Sequence, residues 1–355
     1  MDIGRLRLAN QHIARPVFDD PADVVRWFGA VQAQDYLGGL WALGLRSRGT
    51  TEASVESAIA RGAFVRTWPM RGTLHFVAAE DARWMVALLA SRVIAATASR
   101  RRQLELDDAT LRRSARVIER ALVGKKRLRR DAMYAIWNNA GIATHASRGT
   151  HILGHLAQTG LICFGPRDGK QQTFTLVEEW LPGARLRERD AALGEVARRY
   201  FTSHGPATIH DFVWWSGLKI ADARAGLDAV KSTLESEIID GRTFWFLPSV
   251  PVPRLTNTVY LLPSWDEYTV AYRDRSDILD PKYALQVNAG GGVLKPVIVS
   301  RGRVVGSWQR TFVKNGMVVR PSMFVRVDAS VREAIDVAAR KYGRFLGVDA
   351  ARAAD

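Results

Sequence analysis

The chain has 355 residues, enough for two to four folding units that share buried surface. Hydrophobic residues make up 47% of it, no run approaches the ~20 apolar residues of a bilayer span, and Met1-Asp2-Ile3-Gly4-Arg5 lacks a signal-peptide pattern, which argues against a disordered, membrane-bound or secreted chain. A net charge of +15 points to a polyanionic partner, while the lone Cys163 excludes an internal disulfide and any multi-cysteine metal site and suits a reducing cytoplasm.

Of the 51 basic residues 42 are arginine, a skew that GC-rich codon usage would explain. Codon usage does not explain the excess of positive over negative charge, so nucleic acid is the expected partner. In chain order, three loose copies of one pattern follow: helices, then a two-stranded hairpin, the order of a winged helix. The first copy, 1–104, opens on Asp20, a cap for a helix with Pro21 at its first position and Val24, Phe28 and Val31 on its buried face. A helix near 53–61 precedes runs at 64–68 and 73–77 that pair across Pro69-Met70-Arg71-Gly72.

The second copy, 105–184, carries helices at 111–123, 130–138 and 148–159, the last in the place of a recognition helix. Its hairpin joins 161–164 to 173–176 across Asp168-Gly169. The third, 185–250, has Thr208 as N-cap with Asp211 three residues on, Gly217 as terminator, a second helix over 220–234 and a hairpin turning at Asp240-Gly241. Trp214 and Trp215 are adjacent, so at most one of them faces the core. Beyond 251 the spacing changes to short β runs at 259–262, 297–299, 304–308, 311–313 and 317–319, then a helix over 330–345. With turns at Ser300-Arg301-Gly302 and Lys314-Asn315-Gly316, this predicts a small β-barrel. The fold class expected is α+β, three tandem winged-helix units with a C-terminal barrel.

Candidate chemistry is sparse. Lys125, Lys126, Arg127, Arg129 and Arg130 cluster at a helix junction, where phosphate contacts are commonly made. His151 and His155 stand one helical turn apart, but Ile152 replaces the glutamate of a zinc protease and no cysteines accompany them, so no metal is expected. Gly290-Gly291-Gly292 lacks the ending of a phosphate loop. Gln32-Ala33-Gln34, with Asp35 next, falls at the end of the first helix; on an extended backbone both amides would point the same way. An amide is no strong base, yet it can donate to and accept from a water and so hold it for attack. Two exposed polar residues at a helix end would look the same.

Several segments together decide between these readings. Gln32-Ala33-Gln34, the segment from Arg66 to His75, Gly205-Pro206-Ala207-Thr208 with Trp215-Ser216-Gly217, and Leu262-Pro263-Ser264-Trp265-Asp266-Glu267-Tyr268 with Arg273-Asp274-Arg275 resemble the AlkZ/YcaQ-like family of winged-helix DNA glycosylases. Gly302-Arg303-Val304-Val305-Gly306-Ser307-Trp308 resembles its C-terminal pattern, so the likeness runs from about residue 5 to 327. The resemblance implies three winged-helix units in a C-shape with a β-barrel, and hydrolysis of the N-glycosidic bonds of N7-alkylated purines, including bulky adducts and interstrand crosslinks. It maps the family's catalytic motif onto Gln32 and Gln34 in the Gln-x-Gln form of AlkZ-type members, which serve self-resistance in producers of DNA-alkylating compounds. It implies a monomer acting on double-stranded DNA that carries alkylated purines, with no cofactor and no membrane. The tip at Lys314 and Asn315 becomes a candidate to probe the duplex. The alternatives are a non-catalytic winged-helix DNA-binding protein and a carboxylate-dependent glycosylase using Asp266 or Glu267.

Overall fold

A computed structural model describes residues 1–248, 258–314 and 316–353 of a mixed α+β chain. Asn315 and the expected domain boundary at 250/251 lie outside the described residues. The chain divides into two compact units, one of Met1–Val55, Gly194–Trp215 and Lys219–Asp355, the other of Glu56–Leu193 with Ser216–Leu218.

The unit holding the termini begins with the helices Ile3–Asn10, Pro21–Phe28 and Tyr36–Arg46. Asp20 caps the second as expected, its carboxylate accepting from the Ala22 N–H at 2.9 Å with Pro21 at the first position. That helix stops at Phe28, because Gly29 takes φ +80°, and Ala30–Gln32 continues as a strand. The expected helix through Gln32 is therefore too long: Val31 is buried by a strand, and the apolar run that suggested helix continues past its end.

In the Ile209–Ser216 helix, Thr208 and Asp211 exchange bonds, Asp211 N–H to Thr208 Oγ1 at 3.2 Å and Thr208 N–H to Asp211 Oδ2 at 2.9 Å. Gly217, at φ +72°, ends it. Trp215 is fully buried and Trp214 is 44% exposed, which is how the neighbouring pair divides between core and surface. The following helix is shorter than expected, Ile220–Asp228, with a 3-10 turn at Lys231–Thr233; Ala223 and Leu227 are buried, whereas Val230 and Leu234 reach only half-burial. Glu235–Ile239 and Arg242–Phe246 form the hairpin across Asp240-Gly241.

The C-terminal sheet has five strands in the order Ala350–Arg352, Gly316–Met323, Arg303–Val313, Val297–Ser300, Val259–Leu262. Among the described residues its two end strands do not pair with each other, so in place of the expected barrel there is an open, half-barrel sheet. The runs at 304–308 and 311–313 are one strand: Gln309 and Arg310, polar enough to suggest a turn, pair with Arg320 and Val319. The Ala329–Leu346 helix packs on this sheet, placing Tyr342 against Trp41 and Trp308 with ring centroids 4.8 and 5.4 Å away.

The other unit contains two hairpins. Phe64–Met70 pairs with Thr73–Ala78 and Ile162–Asp168 with Gln171–Leu176. In each the register slips around a proline, Pro69 or Pro166, which has no N–H to give the ladder. Trp137, Ile152, Leu156, Phe164 and Phe174 form its core with the helices Asp108–Leu122, Arg130–Asn139 and Arg148–Gln158. The basic run 125–130 is not a bare junction: Leu128–Arg129 adds a third strand beside Gln171–Leu176.

Candidate active site

The Gln-Ala-Gln motif lies between two helices whose ends are fixed by Gly29 and by Tyr36, the first residue of Tyr36–Arg46. Ala30, Val31 and Ala33 are buried, anchoring the segment by its apolar positions. Gln32 ends the strand and is 6% exposed; the chain then bends at Gln34 and Asp35, leaving Gln34 exposed. The two amides thus occupy different environments, one buried in the interior and one open to solvent.

Gln32 is held through its backbone. Its N–H donates to Glu267 Oε1 at 2.6 Å, a short charge-assisted bond across 235 residues of sequence. The other oxygen of Glu267 accepts from Trp215 Nε1 at 3.0 Å and meets His204 Nε2 at 3.1 Å. His204 is wholly buried and stacks on Tyr200 at 4.7 Å. Burial lowers its pKa, partly offset by the Glu267 carboxylate, and the Ser203 hydroxyl stands 2.8 Å from its Nδ1. The preceding acid, Asp266, takes both terminal nitrogens of Arg46, at 2.9 and 2.7 Å. Arg46 also donates to Gln11 Oε1 at 2.9 Å; Gln11 donates to the Tyr272 hydroxyl, which donates to the His204 carbonyl at 2.7 Å. Tyr268 donates to the Gly4 and Gly302 carbonyls. Both acids are at most 2% exposed and already engaged, so the Asp-Glu-Tyr segment works as an anchor, and neither carboxylate is placed to reach a substrate.

A pocket of about 290 Å³ opens beside the motif, lined by Asp35, Gly38, Pro263, Trp308, Gln309 and Arg310 among others. Gly38 is needed for its shape: a Cβ there would lie 2.7 Å from Asp35 Oδ2 and 3.3 Å from Pro263 Cβ. Arg310 is half-buried, and burial lowers its pKa against the opposing pull of Asp35 and Glu52. A carboxylate and a guanidinium therefore share a concave site one residue from Gln34, an arrangement suited to a polar substrate with both positive and negative parts.

The sequence model of the AlkZ-like DNA glycosylases matches residues 25–345, an interval that contains the motif, the anchor and the pocket. The chain belongs to this family. An interstrand DNA cross-link repair glycosylase of Streptomyces sahachiroi is 26% identical over 373 aligned residues, covering 96% of this chain and 95% of that protein. The solved structure of the Streptomyces sahachiroi DNA glycosylase AlkZ superposes with a TM-score of 0.82 at 24% identity, over 99% of this chain and 98% of that one, so the fold is shared.

In this AlkZ-like chain the residues expected to meet DNA are distributed over both units. Lys125, Lys126, Arg127, Arg129 and Arg130 are all exposed, but acids accompany them. Arg129 lies 3.6 Å from Asp131 and 4.0 Å from Asp168, and Glu179 accepts from the backbone N–H groups of Gly124 and Lys125. Lys314 is exposed at the end of the longest hairpin, beside Phe312 and Val313, which are 58% and 51% exposed. His151 and His155 sit part-buried on the Arg148–Gln158 helix, and among the described residues no group of three His, Cys, Asp or Glu side chains could hold a metal ion. Sequence reasoning missed His204 and Arg310. His204 carried no motif of its own, and Arg310 looked like part of a turn.

Proposed function

We propose that this chain is a monofunctional DNA glycosylase that hydrolyses the N-glycosidic bond of N7-alkylated purines, bulky adducts and interstrand crosslinks included, with the attacking water held by Gln32 and Gln34. The observation that carries the reading is the Gln-Ala-Gln segment, clamped through Glu267 and bordering the Asp35–Arg310 pocket, in a chain of the AlkZ-like DNA glycosylase family. The near-full-length likeness to a cross-link repair glycosylase supports it.

Alkylation at N7 leaves the purine cationic, so the C1′–N9 bond breaks with its electron pair going to the base and no acid need protonate the leaving group. Water then adds to C1′ and gives up a proton to solvent. The protein's task is to place that water and to stabilise a cationic sugar. Two amides meet the first need, one fixed by burial and one reaching into solvent. The Asp35 carboxylate meets the second by adding negative charge near the sugar. No lysine lies in the motif, so no Schiff-base strand cleavage accompanies excision. We assign winged-helix character to the three helix-and-hairpin segments, 1–104, 105–184 and 185–250, and the gripping of duplex DNA to them together with 251–355. The basic run 125–130 contacts phosphates, and the hairpin tip with Lys314 probes the duplex.

The test is release of abasic sites from duplex DNA containing N7-methylguanine or a bulkier N7 adduct. Release abolished by Gln34→Ala, with DNA affinity retained, supports the assignment. DNA binding without release from any adduct would leave a non-catalytic DNA-binding protein instead.

A further inference from the structure

Asp and Glu make up 36 of 355 residues, about one in ten, yet two stretches contain none. Residues 82–104 carry Arg83, Arg92, Arg100, Arg101 and Arg102; residues 132–167 carry Arg148, Arg167 and the histidines 145, 151 and 155. At the chain's average, about six acids would fall across the two.

The fold brings these stretches together within one unit. The Ala82–Ala96 helix packs against Arg148–Gln158, and the short helix Ala98–Gln103 follows it directly. Arg100 and Arg102 are exposed; Arg101 is half-buried, donating to Thr97 Oγ1 at 2.6 Å. His151 and His155, on the facing helix, lie in the field of these guanidiniums: burial lowers both rings, and Arg101 lowers them further, joined at His151 by Arg100. Asp108 acts in the opposite sense on His155. No ion pair ties Arg100, Arg101 or Arg102 to a carboxylate among the described residues.

Arginines in the last turn of a helix are ordinary partners for its negative end. That accounts for where the run sits, but not for an acid-free helix packed beside it. The basic run at 125–130 offers the contrast, since Asp131, Asp168 and Glu179 are interleaved with it. Acids do border the stretches, since Arg148 lies 3.9 Å from Glu105 and Arg167 pairs with Glu56. The neighbouring helices carry none themselves, however, and Arg100 and Arg102 keep their charge unpaired among the described residues. That favours a polyanion, because each retained carboxylate would repel it.

We infer that the face bearing Arg100, Arg102 and His151 binds the phosphodiester backbone of duplex DNA, as a grip separate from the run at 125–130. The assignment rests on the proposed action on DNA. Its test is the pair Arg100→Gln/Arg102→Gln, both exposed and outside the core, compared with Lys125→Gln/Lys126→Gln. Affinity for an undamaged duplex of about 20 base pairs is measured from about 50 to 300 mM salt, with single-turnover excision at saturating protein alongside. The Arg pair should weaken binding at least about fivefold and flatten the log–log salt slope by about 1–2, each lost phosphate contact contributing about 0.9, more than the Lys pair does. Excision at saturation should fall by less than the affinity does, since the lost contacts are to the backbone and not to the reacting sugar. If the wild-type protein binds duplex DNA and the Arg pair matches it in affinity and slope, this assignment falls alone. If the wild-type protein shows no salt-dependent duplex binding, the DNA reading falls with it.

Discussion

Glu267 offers the most direct way to ask whether the geometry of Gln32 matters. Its carboxylate serves at least three partners: the Gln32 N–H at 2.6 Å, Trp215 Nε1 at 3.0 Å and His204 Nε2 at 3.1 Å. Glu267→Ala removes the acceptor from all of them; at about 1–3 kcal/mol for each buried group left unmatched, and with water recovering part of the loss, about 3–5 kcal/mol of stability should go. Glu267→Gln is gentler. Its amide oxygen can still accept from Gln32, and His204 can change tautomer to accept from the new NH₂. Trp215 then faces a donor, a cost of about 1–3 kcal/mol. The loss to excision should exceed what stability explains, because a shift of about 1 Å in a positioned group can cost about 100-fold. We expect single-turnover excision by Glu267→Gln to fall about 10- to 100-fold with DNA affinity unchanged. Ile335→Val, a buried change in the same unit costing about 0.5–1.5 kcal/mol, supplies a control for general destabilisation. Wild-type excision by Glu267→Gln, or an equal loss in Ile335→Val, would refute the reasoning.

Three further outcomes are expected. Gly38→Ala should push the Asp35 carboxylate out of place, since the new Cβ would meet it at 2.7 Å; excision should drop several-fold while thermal stability changes by no more than about 1–2 kcal/mol, read by a melting curve. Stability should fall as the medium is acidified below the ordinary histidine value. His12, packed on Phe18 and Trp27, has its pKa lowered to about 4 by burial and by Arg46, and His204 is lowered by burial, so the unfolded chain takes up protons first. The loss should run from about pH 6.5 down towards 4, and His12→Gln should flatten part of it in denaturant titrations at fixed pH. Cys163 is buried and its thiol is pushed up to about 12, so a thiol reagent should label it only in denaturant; fast labelling of the native protein would contradict its placement.

Local chemistry was readable along the chain wherever one residue type settles one geometry. Asp20 before Pro21, Thr208 three residues from Asp211, and Asp240-Gly241 between apolar runs each did what their side chains dictate. Reading failed where the decision was not local. Gly29 ends the first helix, but Val31 prolonged an apolar pattern that helix and strand share, which pushed the expected end to Gln32. The 220–234 helix was drawn too long because Val230 and Leu234 have helical spacing without full burial. Whether five strands close into a barrel depends on their ends meeting, which no strand encodes by itself. The site was legible in the same uneven way. Gln32 and Gln34 announced themselves, whereas Glu267 stood out only as part of an acidic segment and His204 not at all, because their meeting is set by packing.

The difference between the two amides bears on how such a motif can work. If both glutamines were exposed, each would sample several rotamers, and holding one water between them would cost the entropy of two long side chains. Burying Gln32 and fixing its backbone on a carboxylate that is itself held by Trp215 and faces His204 places that cost in the fold, before any substrate arrives. Gln34 is exposed, and on the proposed reading it is the amide that meets the substrate from the solvent side. Under the proposed water-holding role, that division would suit adducts of different bulk, with the buried glutamine as the constant contact and the exposed amide and the open pocket meeting what differs. It also explains why the anchor is spread over segments far apart in the chain. Arg46, His204, Trp215, Asp266 and Glu267 form one network behind a short extended stretch that, lying between two helices, has too few local contacts to hold its geometry alone.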